Sequence, residues 1–384
     1  MIKSLLDNDL YKFTTSYAYM KMFPHAMGTF TFVDRNKEVY TQEFLEALKL
    51  EIYSMSDRVY LCNEAFDWAV QNIPFVPRHY WEWLRGFRYN PDELNLYLDK
   101  EGHLHIEATG PLYRITLWEV PLLAMVSELT LKNTKVVQKK DVIEALKEKV
   151  VLSNLNALPF SEFGTRRRFS SNVQDWVCEY LSEYSTYCTG TSNCHFAMKY
   201  GMKPMGTHPH EWFMFHGAQF GYKNANYMAL ENWVKVYDGD LGIALSDTYT
   251  SKVFLQNFSL KQAKLFDGVR QDSGDPFKFA TSVIDRYTQL RIDPMTKTIV
   301  FSDALTFPKA LEIQNYCKGR IRCSFGIGTN LTNDVGVKPL NIVMKLTSCQ
   351  MTKNTPVYNC VKLSDDEGKH IGKDVGLCKM DLGL

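Results

Sequence analysis

Lys203–His216, KPMGTHPHEWFMFH, is the stretch from which the rest of the chain can be read. Met205-Gly206-Thr207 has the character of a strand end, and Pro209 stops that strand because proline offers no N–H to a ladder. Glu211-Trp212-Phe213-Met214-Phe215 then reads as the first turn of a helix. Gly206 lets another group approach the backbone closely. Thr207, His208 and His210 are therefore expected on a turn at a strand's carboxyl end. The neighbouring helix amino terminus favours anions. The expectation is that His210 carries chemistry and that an anionic substrate lies beside it.

The same texture recurs on both sides from about Leu158 onward, where short apolar runs end repeatedly in small polar, acidic or basic residues. The ends are Phe163-Gly164-Thr165-Arg166-Arg167-Arg168, then Thr189-Gly190-Thr191-Ser192-Asn193, then the Gly206–His210 turn. Ser246-Asp247-Thr248, Arg270-Gln271-Asp272-Ser273-Gly274-Asp275, Ser302-Asp303 and Gly326-Ile327-Gly328-Thr329 follow. Apolar strands alternating with helices imply a parallel sheet. Functional residues gathered at strand carboxyl ends are the arrangement of a β/α barrel. With seven strands, such a barrel would be short or irregular.

The amino-terminal part has a different texture. Leu10, Phe13, Tyr17 and Met20 recur on one face of a helix that Asp7 or Asn8 can cap and Pro24 ends. From spacing alone Tyr11 is a surface aromatic. A strand over residues 28–33, a helix from Phe44 and an aromatic, basic helix over 77–88 follow. Residues 94–98 and 103–108 read as a hairpin. Leu112 to Trp118 reads as a strand, with a helix from Leu122 after Pro121. A further helix begins at Lys139. Leu340–Cys349 and Pro356–Leu363 look like strands again and are expected to return to the amino-terminal part. The expected division is 1–120 (α+β), 121–340 (barrel with the active site) and 341–384 (returning segment).

Of the 384 residues, 45% are hydrophobic and 23% charged, which is ordinary globular usage. A formal net charge of +1 gives no support to nucleic acid as a partner. Nine cysteines, an odd number without any C-x-x-C pair, fit reduced thiols in a cytosol better than disulfides or zinc. The opening MIKSLLDNDL does not read as a signal peptide. No apolar run approaches the ~20 residues of a membrane span. A cytoplasmic protein is expected.

Each constellation has a plain reading beside the functional one. Three adjacent arginines usually form a solvated face, but here they follow a strand-ending Gly-Thr. At least one guanidinium is expected to meet carboxylate or phosphate, and all three cannot face one ligand. The Asp272-Ser273-Gly274-Asp275 turn reads equally as an unliganded Asx-turn or as a holder of sugar hydroxyls and phosphate. Asp247 and Asp303, taken singly, are helix caps. Taken together on one face with basic groups, they point to a phosphorylated sugar with magnesium. His208-x-His210 invites zinc, but only His216 and His370 lie downstream, too poor a ligand supply.

SEFGTRRRFS, TGTSN, PMGTHPHEW, LGIALSDTYT, GVRQDSGDP, FSDAL and FGIGTNLTND, in this order, resemble the nicotinate phosphoribosyltransferases of the ATP-coupled, bacterial type. LLDNDLYKFT and GPLYRITLWEVPLLA resemble them too. The resemblance implies an irregular β/α barrel of type II phosphoribosyltransferase kind. An amino-terminal α+β domain, completed by carboxyl-terminal strands, accompanies it, and the chain is expected as a homodimer with shared active sites. The implied reaction joins nicotinate to phosphoribosyl diphosphate, with ATP as co-substrate and Mg2+ carried on substrate phosphates rather than by direct protein ligands. By motif position His210 is the phosphorylated histidine, with Asp247 orienting it and Glu211 assisting. Tyr11 (from a neighbouring subunit), Phe163, Ser192, Thr207 and Arg270 match nicotinate-contacting positions. Arg166, Asp272, Ser273, Asp303, Gly328 and Thr329 match those for phosphoribosyl diphosphate. Nicotinamide-using relatives carry an acid where Ser192 stands, and an acid there would repel nicotinate. Nicotinamide and quinolinate transferases are the alternatives.

Overall fold

The computed structural model describes residues 1–384, a mixed α/β chain with one antiparallel and one parallel sheet. The chain groups into two compact units. The first comprises Met1–Tyr17, Thr29–Met205 and Ile327–Lys345, the second Ala18–Gly28, Gly206–Gly326 and Leu346–Leu384.

In the first unit the hairpin Leu94–Leu98 and Leu104–Pro111 pairs in the register Leu94↔Ala108 to Leu98↔Leu104. Strand Met27–Asp34 lies on the other side of Leu104–Pro111, and the first residues of Ile342–Gln350 lie beyond it. The expected return of a late strand to the early hairpin is thus present. Burial alternates along Met27–Asp34 and Leu104–Pro111, so one face packs on the core and the other does not. The helix Glu119–Leu131 is buried along nearly its whole length. Pro121 sits in its first turn, where a missing N–H costs no helical bond. Two parallel strands, Phe160–Glu162 and Cys188–Thr191, complete the unit's regular pairings.

In the second unit Ile243–Leu245, Gly268–Gln271, Thr298–Phe301 and Arg322–Ile327 lie side by side and parallel, with Gly268 opposite Thr298 and Thr298 opposite Arg322. Helices Pro276–Gln289 and Phe307–Cys317 make the crossovers. The carboxyl ends of neighbouring strands therefore emerge together, at Asp247, Asp272 and Ser302. The helix His210–Phe220 is buried over its first eight residues. Its Trp212 and Phe215 meet Tyr19 and Phe23 edge-on or tilted, with centroids 4.8–5.9 Å apart. Trp212 Nε1 donates to the Ala229 carbonyl at 2.9 Å.

Four expectations fail for identifiable reasons. Residues 112–118 form a helical turn and a 3-10 turn, not a strand. Their β-prone composition is overridden by tertiary packing: Leu112 and Ile115–Trp118 are buried while the adjacent Tyr113 and Arg114 are half-buried, so burial does not alternate as it would along a strand. Gly110 permits this sharp turn, since a Cβ there would stand 2.9 Å from Ile115 Cγ2. The strand before His208 shrinks to one bridge, Thr191↔Pro204. Pro204 and Pro209 both lack ladder donors. The last expected strand is only Tyr358–Asn359. Asp7 spends its carboxylate on Arg168 instead of capping the first helix.

No helix is long and apolar enough to cross a membrane. All nine cysteines are free. His208 is fully buried among Phe213, Trp233 and Phe266. His216 donates from Nδ1 to the Trp212 carbonyl at 2.7 Å and accepts at Nε2 from Asn232 at 3.0 Å. Burial pushes both imidazoles down to about 3, against an ordinary value of 6.5. The native state keeps them neutral, while the unfolded chain takes up protons below 6.5. Their contribution to stability is therefore complete above that pH and is lost progressively as pH falls toward 3. Between pH 7 and pH 5 the loss is expected to be on the order of 2 kcal/mol per histidine. Urea unfolding at the two pH values measures it, and His208→Met should shrink the difference by about half.

Candidate active site

The second unit holds a cluster centred on His210, the first residue of its helix. The imidazole is bracketed. Nε2 lies 2.9 Å from Asp272 Oδ2 and 3.5 Å from Asp247 Oδ1, and Nδ1 lies 3.0 Å from the Thr248 hydroxyl. Burial opposes ionisation of Asp272, yet Arg270 and His210 hold its carboxyl well below the usual range. Burial likewise opposes ionisation of Asp247, and His210, Lys362 and the Ser273 hydroxyl (2.6 Å) bring it down. An ionised Asp272 needs a donor, so Nε2 carries the proton and Nδ1 is left with a lone pair that accepts from Thr248.

Arg270 organises this cluster from the strand Gly268–Gln271. Its Nη2 donates to Asp272 Oδ1 at 2.6 Å, its Nη1 to Thr207 Oγ1 at 2.8 Å and its Nε to Ser302 Oγ at 2.8 Å. A planar fork with donors on every edge suits such a node. Ser273 also accepts from the Asp365 N–H at 3.0 Å. Asp303 is gripped by Lys369 Nζ, 2.8 Å from each oxygen. Thr250, Ala304 and Ser364 have φ of +69, +48 and +67°, strained for residues with a Cβ. They flank Thr248, Asp303 and Lys362.

The first unit holds a second buried polar cluster. Arg168 is fully buried and bonds Asp7 (2.8 and 3.2 Å), Glu128 (2.8 Å) and Gln174 (3.1 Å). Burial would raise Asp7, but Arg168 and Asn193 bring it down to about 2. Arg166 is about one-third exposed and its Nη1 lies 3.4 Å from Glu119, which also pairs with Lys12. Ser192 Oγ lies 2.8 Å from Asp9 Oδ1. Phe163 and Tyr11 are half-buried, and Lys12 Nζ lies 5.1 Å from the Tyr11 ring centroid. Gly328 precedes the short helix Thr329–Thr332. A Cβ at Gly328 would stand 3.1 Å from the Phe163 carbonyl.

Thus His210, Asp247, Asp272, Ser273, Thr207 and Arg270 converge, and Asp303 lies nearby in sequence from Ser302. Glu211 is buried in the same helical turn, but the carboxylates on the imidazole are those of Asp272 and Asp247, with Asp272 nearer. Of the three arginines, Arg168 is spent on the protein's own acids, and Arg166 is about one-third exposed, with its guanidinium beside Glu119. Reading the sequence missed Thr248, Ser302, Lys362 and Lys369. Thr248 and Ser302 adjoin residues that were recognised, whereas the lysines sit in a tail without a motif. It also missed Asp9, whose carboxylate was indistinguishable from a helix cap.

His210, Asp247 and Asp272 bring ligand atoms within 4.8 Å of one another. Asp247 Oδ1 is buried and accepts no hydrogen bond. Hard oxygen donors of this kind fit Mg2+ arriving on phosphates. Arg270 and Lys362 already supply positive charge here, Lys362 Nζ lying 3.7 Å from Asp247.

Two family models match the chain: the nicotinate phosphoribosyltransferase (NAPRTase) family over residues 158–379 and the family's N-terminal domain over 6–127. Among curated proteins, a nicotinate phosphoribosyltransferase of Chromohalobacter salexigens is 45% identical over 376 residues, covering 97% of this chain and 95% of that protein. One from Methanococcoides burtonii is 43% identical over 393 residues, covering 97% and 95%. The crystal structure of the Porphyromonas gingivalis nicotinate phosphoribosyltransferase superposes with a TM-score of 0.98 at 50% identity, covering all of both chains.

Removing one partner from a buried ion-paired set leaves uncompensated charge, which costs about 3–5 kcal/mol. Arg168→Ala is therefore expected to lower unfolding stability by that amount. Arg166→Ala, at a partly exposed position, should change stability by less than about 1 kcal/mol. Chemical denaturation of the two variants separates the roles.

Proposed function

Because the chain belongs to the nicotinate phosphoribosyltransferase family, we propose that it condenses nicotinate with 5-phosphoribosyl 1-diphosphate, giving nicotinate mononucleotide and diphosphate. This is the first step of NAD salvage from nicotinate. We further propose that ATP hydrolysis drives it through a phosphohistidine at His210.

The observation that carries the coupling is the bracketed His210 ring. With Nε2–H donating to an ionised Asp272, Nδ1 is the nucleophilic nitrogen. Its lone pair attacks the terminal phosphorus of ATP, the bond to the bridging oxygen breaks, and ADP leaves. Thr248 must give up its bond to Nδ1 as this happens. The imidazolium that develops is stabilised by Asp272 and Asp247. Water later cleaves the N–P bond. While it lasts, the phosphate adds negative charge beside two carboxylates, which reorders the loops that carry them.

The pyridine nitrogen is unprotonated at neutral pH and needs no general base. It forms a bond to the anomeric carbon as the bond to diphosphate breaks. The sugar becomes cation-like in between, and the carboxylates of Asp272 and Asp303 stabilise it and hold its hydroxyls. Mg2+ carried on the substrate's phosphates would neutralise the leaving diphosphate, and Asp247 and Asp272, whose oxygens lie within 4.8 Å of one another, are the protein oxygens that would face it. Gly328 and Thr329 take the 5-phosphate at a helix start. Phe163 stacks on the pyridine ring, and Ser192 faces its acid group. A homodimer that lends Tyr11 to its neighbour completes this reading.

A diphosphate-release assay with nicotinate, run with and without ATP, tests the function directly. ATP should raise the yield and be consumed in step with it. His210→Ala should abolish the ATP consumption and retain a slow, ATP-independent release. Normal coupling in that variant rejects the assignment. Ser192→Asp should move preference toward nicotinamide by about tenfold or more, since one buried like-charge contact is worth at least ~1.4 kcal/mol.

A further inference from the structure

Asp303 does not cap the helix that follows it. That duty falls to Thr306, whose hydroxyl accepts from the Lys309 N–H at 3.4 Å. The group that donates to the Asp303 carboxylate is Lys369, 66 residues further on. Its Nζ lies 2.8 Å from each oxygen and so stands astride the carboxylate. A third contact, 2.8 Å to Asp366 Oδ2, engages the last of the three ammonium protons.

The chain is built to deliver this ammonium. Lys369 is carried on a loop, residues 363–370, whose base is closed by a bridge between Lys362 and Ile371. These two residues exchange N–H···O bonds of 2.9 and 2.8 Å. Gly372, at the same base, has a φ of +112°, and a Cβ there would stand 2.4 Å from the Cys360 carbonyl. From its base the loop crosses the carboxyl ends of three neighbouring parallel strands in turn. Leu363 N–H donates to the Thr248 carbonyl at 2.8 Å, Asp365 N–H to Ser273 Oγ at 3.0 Å, and Lys369 Nζ to Asp303. Those partners follow the strands Ile243–Leu245, Gly268–Gln271 and Thr298–Phe301.

An ionised carboxylate has about four acceptor positions, two on each oxygen. Lys369 takes one on each, which leaves one on each. No other protein group donates to Asp303. Its side chain is 26% exposed, so the remaining positions can be reached. Two hydroxyls on adjacent carbons match them, one proton to each oxygen.

We propose that Lys369 is a positioning residue for the sugar, which holds one side of the Asp303 carboxylate so that the lone pair left on each oxygen accepts a hydroxyl of the phosphoribosyl group. The inference rests on the reading that Asp303 holds the sugar hydroxyls.

The ordinary alternative for a lysine beside a phosphorylated substrate is direct contact with phosphate. Here all three protons are already spent on carboxylates, so Lys369 acts through Asp303. Burial raises the Asp303 carboxyl above its ordinary value, Asp272 and Asp366 add to the rise, and Lys369 pulls against them. The ammonium thus also opposes protonation, which would use up an acceptor position that a hydroxyl needs.

Lys369→Met should raise the KM for phosphoribosyl diphosphate by about tenfold or more, the worth of one hydrogen bond to a charged group. The KM for nicotinate should stay within about twofold of the wild type. The decisive comparison uses the 2,3-dideoxy analogue of phosphoribosyl diphosphate, whose affinity is read from its inhibition of the reaction. It lacks both hydroxyls, so Lys369→Met should change that affinity by less than about twofold. An equal penalty on the full sugar and the analogue overturns the proposal, because the ammonium would then act on the diphosphate or on the fold. So does an unchanged KM for the full sugar. Lys369→Gln keeps one donor without the charge and should show a smaller penalty of the same pattern. It makes the same comparison if Lys369→Met does not fold. An active wild-type enzyme that binds the analogue as tightly as the full sugar refutes the role of Asp303, and this inference with it. Failure to release diphosphate from nicotinate and the full sugar refutes the proposed function instead.

Discussion

The guanidinium of Arg270 is the constraint on which the His210 cluster depends. One planar group donates to Asp272, Thr207 and Ser302, which belong to three separate stretches of chain. It therefore fixes the loop before His210, the end of its own strand and the end of the neighbouring strand. Asp272 can then be ionised although half-buried, and an ionised Asp272 dictates which nitrogen of His210 carries a proton. Lysine could not substitute, because a single ammonium cannot span three directions in one plane. The parallel strands supply the rest. Their register brings Asp247, Asp272 and Ser302 out at one edge, where side chains too polar for the sheet interior can meet.

Buried charge also organises the first unit, for a different purpose. Arg168 is surrounded by Asp7, Glu128 and Gln174, with no surface left for a ligand. Such a set contributes little net stability compared with an apolar core, but it penalises any arrangement that separates its members. It ties the chain start and the helix Glu119–Leu131 to the turn after Phe160–Glu162. Gly190 belongs to the same logic. A Cβ there would come within 2.1 Å of the Lys203 carbonyl, so glycine alone lets that segment pass over the strand and reach Thr207.

The sequence was legible where a local rule and the tertiary outcome agreed. Six of the seven expected strand ends are strands, because each carried an apolar run closed by a polar turn. The helix at His210 began where Pro209 required it. Legibility failed where burial erased the pattern, as in Leu112–Trp118, and where prolines removed ladder donors, as before His208. At the candidate site, residues inside compact motifs were found, including Asp247, Asp272 and Arg270. Lys362, Lys369 and Asp9 act across long sequence separations. Nothing local distinguishes a lysine in a tail, or an acid before a helix, from a solvated charge.

His208 and His210 show how a displacement of two residues decides between core and chemistry. His208 precedes the helix and turns into an aromatic cage, where burial keeps it neutral down to about pH 3. His210 opens the helix and turns toward two carboxylates, where a positive imidazolium is welcome. The charges around it already balance before any substrate arrives, since Asp247 and Asp272 face Arg270 and Lys362. On the proposed coupling, a phosphoryl group on Nδ1 would break that balance by adding up to two negative charges. The tail is held as firmly as the strand that carries Arg270: Lys362 is buried and its N–H donates to the Ile371 carbonyl at 2.9 Å, and Lys369 Nζ lies 2.8 Å from both Asp303 oxygens and from Asp366. The guanidinium of Arg270 and the two tail lysines thus fix Asp272, Asp247 and Asp303 from opposite ends of the sequence.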